Sequence, residues 1–148
     1  ISLISEGTLN GVREILAEGY DRGWSIDHIV AGDPEAGVPG LAATVGGLTY
    51  RGPSGALIHL TPEQRARMVA RTELGTAQNR ATTERYGATG VERVMVLDDG
   101  FENSHEFCKA INGKVESLTW AQQHPLCHPN CLNPLLRILC VRFWKRRA

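Results

Sequence analysis

The chain has 148 residues, 42% of them hydrophobic, which suits one domain or a domain with an extended arm and excludes wholesale disorder. Sixteen Lys plus Arg balance sixteen Asp plus Glu, but the first 116 residues carry 11 basic and 16 acidic side chains, and the remainder carries +5. A basic end on an acidic body points to a tail that meets phosphate or an acidic protein surface, not to a general nucleic-acid binder.

Residues 8–18 place Leu9, Val12, Ile15 and Leu16 on one face of a helix, with Gly19 as its stop. Ser25 opens a second, short helix with Ile26, Ile29 and Val30 on one side, closed by Gly32. Residues 37–55 hold six glycines and two prolines and read as a loop or an extended hairpin arm. Thr61-Pro62-Glu63-Gln64 joins a capping threonine, a proline at the first helical position and a capping-box glutamine, which predicts a long helix from about 61 to Tyr86. Val91–Leu97 reads as a strand ended by the turn Asp98-Asp99-Gly100. Phe101–Ile111 reads as a short helix, Asn112-Gly113 as a tight turn and Lys114–Leu118 as a second strand. Pro125, Pro129 and Pro134 impose irregular structure, and Leu135–Trp144 is a last strand or a last helix.

No apolar run approaches the ~20 residues of a membrane-spanning helix, and the opening Ile1-Ser2-Leu3-Ile4 lacks the charged start of a signal peptide. A first residue other than methionine reads as a fragment or a processed start. Aromatic residues at 6% disfavour base-stacking platforms. The cysteines Cys108, Cys127, Cys131 and Cys140 all lie near the C-terminal end, a distribution that reads as reduced thiols near histidines and not as a disulfide scaffold.

Two segments share one spacing, His105-Glu106-Phe107-Cys108 and His128-Pro129-Asn130-Cys131. Two such His/Cys pairs beside turns can complete a tetrahedral zinc site of two imidazoles and two thiolates, with Cys127 and His124 as spare ligands. The plainer reading is surface histidines and buried thiols without metal, since cysteine is among the most buried residue types and the spacing fits no standard finger. His124, His128, Asn130 and Asn133 also invite a metal-dependent nuclease or hydrolase, although the prolines break the ββα frame such sites use. Residues 8–31 have helix-turn-helix proportions, but Asp27 and His28 stand where base-reading side chains belong, and Asp33 and Glu35 flank them. Within the long helix, Arg71 and Glu73 point to different faces and cannot form a local pair.

In order, Ala70-Arg71-Thr72-Glu73, Asn79, Tyr86, Gly90-Val91, Asp98-Asp99, Cys108 with Asn112-Gly113, and His128-Pro129-Asn130-Cys131 run over most of the chain. This ordered set resembles the Mu F-like minor head (head morphogenesis) proteins of tailed phages. Two departures stand out: the family's closing Cys-Arg-Cys is Cys131-Leu132-Asn133 here, and His105 stands where a first turn cysteine belongs. The resemblance implies a virion structural protein of the inner head, present in the host cytoplasm during assembly. Its implied partners are the portal protein and the major capsid protein, in head assembly or genome delivery, with no membrane and no catalytic centre. Arg71, Thr72, Glu73, Asn79, Asp98 and Gly113 are its structural motif residues, and Arg71 and Glu73 would brace the helix against the sheet and the C-terminal turn. Arg142, Lys145, Arg146 and Arg147 would lie near packaged DNA, and either zinc or no cofactor is expected at His105, Cys108, His128 and Cys131. The expected fold is α+β: an N-terminal helical pair over residues 1–36, a Gly-rich arm over 37–60, and a C-terminal domain over 61–148. That last domain combines the long helix, a small antiparallel sheet and irregular C-terminal loops.

Overall fold

The computed structural model describes residues 6–52, 54–97, 105–126 and, as backbone, 139–140. The fold is α+β, with helices first and small antiparallel sheets between and after them. The chain packs as two compact units, Ile1–Arg71 and Thr72–Ala148, and the long helix contributes to both.

In the first unit, α1 (Glu6–Asp21) and α2 (Ile26–Ala31) are joined by a short turn. The first helix does not stop at Gly19 but runs on to Asp21. The reason is packing. A Cβ on Gly19 would lie 2.5 Å from Ile29 Cγ1, so the missing side chain is what lets α2 close on α1. Ser25 caps α2 by accepting from the His28 amide, and Gly32 ends it with a φ of 81°. A two-residue ladder, β1 (Gly32–Asp33) with β2 (Val38–Pro39), leads into α3 (Leu41–Val45). This helix lies inside the glycine-rich stretch that reads as loop or arm from sequence. Gly40 and Gly46 bracket it, so the glycines there are helix ends as much as loop residues. The helices α1, α2 and α3 bury Val12, Ile15, Leu16, Ile29, Val30, Leu41 and Val45.

The arm proper is the hairpin β3 (Leu48–Arg51) and β4 (Leu57–Leu60), paired in the register Leu48↔Leu60 to Arg51↔Leu57. Its period of two puts Leu48, Tyr50, Ile58 and Leu60 on one face. The helix α4 (Pro62–Ala88) then begins with the predicted capping box. The Gln64 amide donates to Thr61 Oγ1 at 3.2 Å, and Gln64 Oε1 accepts from the Thr61 amide at 2.9 Å. Ala66 and Ala70, four apart and fully buried, give its first half a flat contact face. Arg65 donates to the Val45 and Gly47 carbonyls, satisfying acceptors left open at the end of α3.

In the second unit, β5 (Arg93–Met95) is the central strand of a three-stranded antiparallel sheet, between β6 (Val115–Ser117) and β7 (Leu139–Cys140). The segment that could be strand or helix is therefore a strand at 139–140. Between β5 and β6 lies α5 (Glu106–Ile111), and after β6 comes α6 (Leu118–Gln123), capped by Ser117. Val94 and Ala121 are buried with Tyr86, Val91, Leu118 and Trp120 around them, and Val96 and Ile111 form an adjoining cluster against Trp120.

Candidate functional site

The residues of the ordered motif set fall into three groups: those the fold puts to structural use, those left at the surface, and those outside the described residues. Asn79 belongs to the first. It sits on α4 only 4% exposed, and its Nδ2 donates to the Pro125 carbonyl at 2.5 Å. Pro125 follows α6, so this bond ties the segment after α6 to the long helix. A turn later on α4, Thr83 is buried and donates from Oγ1 to the Asn79 and Arg80 carbonyls, each at 2.9 Å.

Gly113 has an equally specific task. Asn112 has φ −59° and ψ 130°, Gly113 has φ 77°, and the Lys114 amide donates to the Ile111 carbonyl at 3.1 Å. These angles are those of a type II turn, which needs a positive φ at its third residue. The Gly113 amide then donates to the Val96 carbonyl at 2.8 Å, so the turn also sets where β6 joins β5.

Arg71 and Glu73 are placed differently. Arg71 is half-buried and Glu73 is exposed, and among the described residues neither side chain forms an ion pair or hydrogen bond. Among the described residues, it is Asn79 that bonds α4 to the segment after α6. Thr72 is half-buried on the same helix.

The first His/Cys pair lies on α5. His105 is its N-cap, exposed, with Nδ1 accepting from the Phe107 amide at 3.2 Å. With Nδ1 accepting, the neutral ring carries its proton on Nε2, so metal ligation would have to displace the cap or move that proton. Cys108, three residues on, is buried, while His105 stays exposed. Among the described residues, no three His, Cys, Asp or Glu side chains converge on a common point. Asp98, Cys127, His128, Asn130, Cys131 and Asn133 lie outside the described residues, as do Arg142, Lys145, Arg146 and Arg147.

His124, a spare ligand by sequence, stacks on Trp120 with ring centroids 4.5 Å apart, and its Nδ1 lies 2.8 Å from the Trp120 carbonyl. His28 makes the same kind of stack on Trp24 at 4.1 Å, with Arg22 over the Trp24 ring and bonded to Glu18. Asp27 forms an ion pair with Arg67 of α4. The two side chains that stood at base-reading positions are thus both engaged within the protein. Sequence reasoning missed both stacks, although their signal is legible as Trp and His four residues apart. Neither a family model, nor a curated protein, nor a solved structure matches this chain.

Proposed function

We propose that this chain is a minor head (head morphogenesis) protein of a tailed-phage virion. In this reading it associates with the portal and major capsid proteins during head assembly or genome delivery, and it acts as a structural component and not as a catalyst. The observation that carries the reading is the ordered motif set, from Ala70-Arg71-Thr72-Glu73 to His128-Pro129-Asn130-Cys131. Support comes from the work several of those positions do within one folded unit. Asn79 bonds the Pro125 carbonyl after α6, Tyr86 and Val91 pack around Val94 and Ala121, and Gly113 makes the turn between α5 and β6. Such residues maintain a scaffold, and a scaffold function needs no more of them. The C-terminal Arg142, Lys145, Arg146 and Arg147 supply the charge to meet packaged DNA.

Affinity-tagged chain, produced in cells assembling the corresponding heads, tests the reading. Portal and capsid proteins are expected to co-purify with it. Recovery of nucleic acid alone, or DNA cleavage by the purified chain that disappears with His128→Ala, would overturn the structural reading in favour of a metal-dependent nuclease.

A further inference from the structure

The turn residues Asn112 and Gly113 also form a reactive pair, an exposed asparagine followed by glycine. Once the Gly113 nitrogen is free and gives up its proton to base, it can bond to Asn112 Cγ. The Cγ–Nδ2 bond then breaks and ammonia leaves. Water opens the resulting five-membered imide at either carbonyl, giving aspartate or isoaspartate. Glycine favours the ring closure because no Cβ crowds the approaching nitrogen.

The fold opposes each requirement of that step. The imide needs the Gly113 nitrogen turned to the same side of the Cα–C bond as Cβ, whereas at ψ 130° Asn112 holds it well away. The proton on that nitrogen is donated to the Val96 carbonyl at 2.8 Å, and the Val96 amide donates to the Lys114 carbonyl at 2.9 Å. The Lys114 amide closes the turn on the Ile111 carbonyl at 3.1 Å. Beneath these bonds Val96 and Ile111 are buried together against Trp120, so turning Asn112 means parting β6 from β5. The other Asn-Gly pair of the chain, Asn10-Gly11, lies inside α1, where the helix holds the Gly11 amide.

The product does not fit the fold that delayed it. Isoaspartate routes the backbone through Cβ and so inserts one methylene between Ile111 and Gly113. The ring closed by the Lys114–Ile111 bond and the reach of Gly113 to Val96 both lose their geometry. We propose that Asn112-Gly113 is a self-modification site controlled by the fold: it is silent while Gly113 is bonded to Val96, and in a chain whose β6 has left β5 it converts to isoaspartate and bars the turn from re-forming. The conversion runs one way, so it marks chains in which the second unit has opened. This goes beyond the virion reading and does not depend on it.

The test follows position 112 by peptide mass mapping of the full chain in mildly alkaline buffer. An Asn10→Gln background, at an exposed helical position, leaves one Asn-Gly pair. A synthetic peptide of residues 109–116 sets the unprotected rate. Conversion in the folded chain is expected to be at least about tenfold slower than in the peptide, and to reach the peptide's rate in urea beyond the unfolding transition. Ile111→Ala, which removes packing beneath the turn, is expected to speed conversion of the folded chain. A folded chain that converts at the peptide's rate, conversion that stays slow after unfolding, or a rate unmoved by Ile111→Ala would overturn the proposal. The one-way step is read by converting the chain in urea and then diluting the urea. Isoaspartate-bearing chains are expected to lack slow hydrogen exchange at the Gly113 and Val96 amides. Asn112→Asp, with the same added charge but no methylene, is expected to keep it. Slow exchange regained by converted chains, or lost equally in Asn112→Asp, would overturn the proposal.

Discussion

Asn79 and Arg71 belong to the same helix, and their difference in surroundings sets opposite expectations. The Asn79 side chain is buried and donates to the half-buried Pro125 carbonyl. Asn79→Ala should therefore destabilise by about 1–2 kcal/mol in urea unfolding, the cost of losing this hydrogen bond and the packing of a buried side chain. Arg71 is half-buried with no ion pair among the described residues, so Arg71→Ala should cost less than about 1 kcal/mol. The reverse ranking would restore Arg71 as the brace. Gly40 offers a second contrast. A Cβ there would lie 2.4 Å from the Ala31 backbone, which cannot yield, whereas Gly37 opens onto empty space with φ 69°. Gly40→Ala should cost about 3 kcal/mol or more, and Gly37→Ala about 1–2 kcal/mol from backbone strain alone. Thermal unfolding of the two variants ranks them.

At the scale of elements, most of what was legible in the sequence came from helix ends. The capping box at Thr61, the cap at Ser25 and the stop at Gly32 all stand where their side-chain chemistry demands. Gly19 was misleading because its role is tertiary: it admits Ile29, and no local rule distinguishes that from a helix stop. The helix α3 was hidden for a related reason, since five residues bracketed by glycines carry too short a pattern to show a period. The capping box also predicts a pH dependence. Glu63 accepts from its own amide and from the Thr61 hydroxyl, which holds its carboxyl below the ordinary value of 4.5. Its folded pKa lies below the unfolded one, so its stabilisation is complete above 4.5 and is lost as pH falls through the lower value. The melting temperature of Glu63→Gln should therefore fall below that of the unaltered chain at pH 7 and converge with it once the pH is below the lowered folded value. A constant difference across that range would assign the effect to something other than the carboxylate.

For the whole molecule, the sequence predicted an α+β chain with helices first and a small antiparallel sheet after them, and the fold has that order. The candidate site was legible only in part. Asn79 and Gly113 can be placed by their side-chain chemistry and turn geometry, but the His/Cys set needs residues 127–131, which lie outside those described. Charge is the property that acts at this largest scale. Removing residues 142–148 takes away four of the five positive charges beyond Glu116, and should leave the unfolding transition of the rest unchanged. It should weaken binding to DNA or to an acidic protein surface, with the largest loss at low salt, as fluorescence anisotropy across a salt series would show. Unchanged binding would reduce the basic end to a solubility feature. The central claim, a structural place in the virion, is tested most directly by quantitative mass spectrometry of purified tailed-phage particles from the source of this chain. The account predicts the chain at a fixed, small number of copies per particle, retained with portal and capsid proteins after nuclease treatment and washing. Intact, infectious particles free of the chain would contradict it.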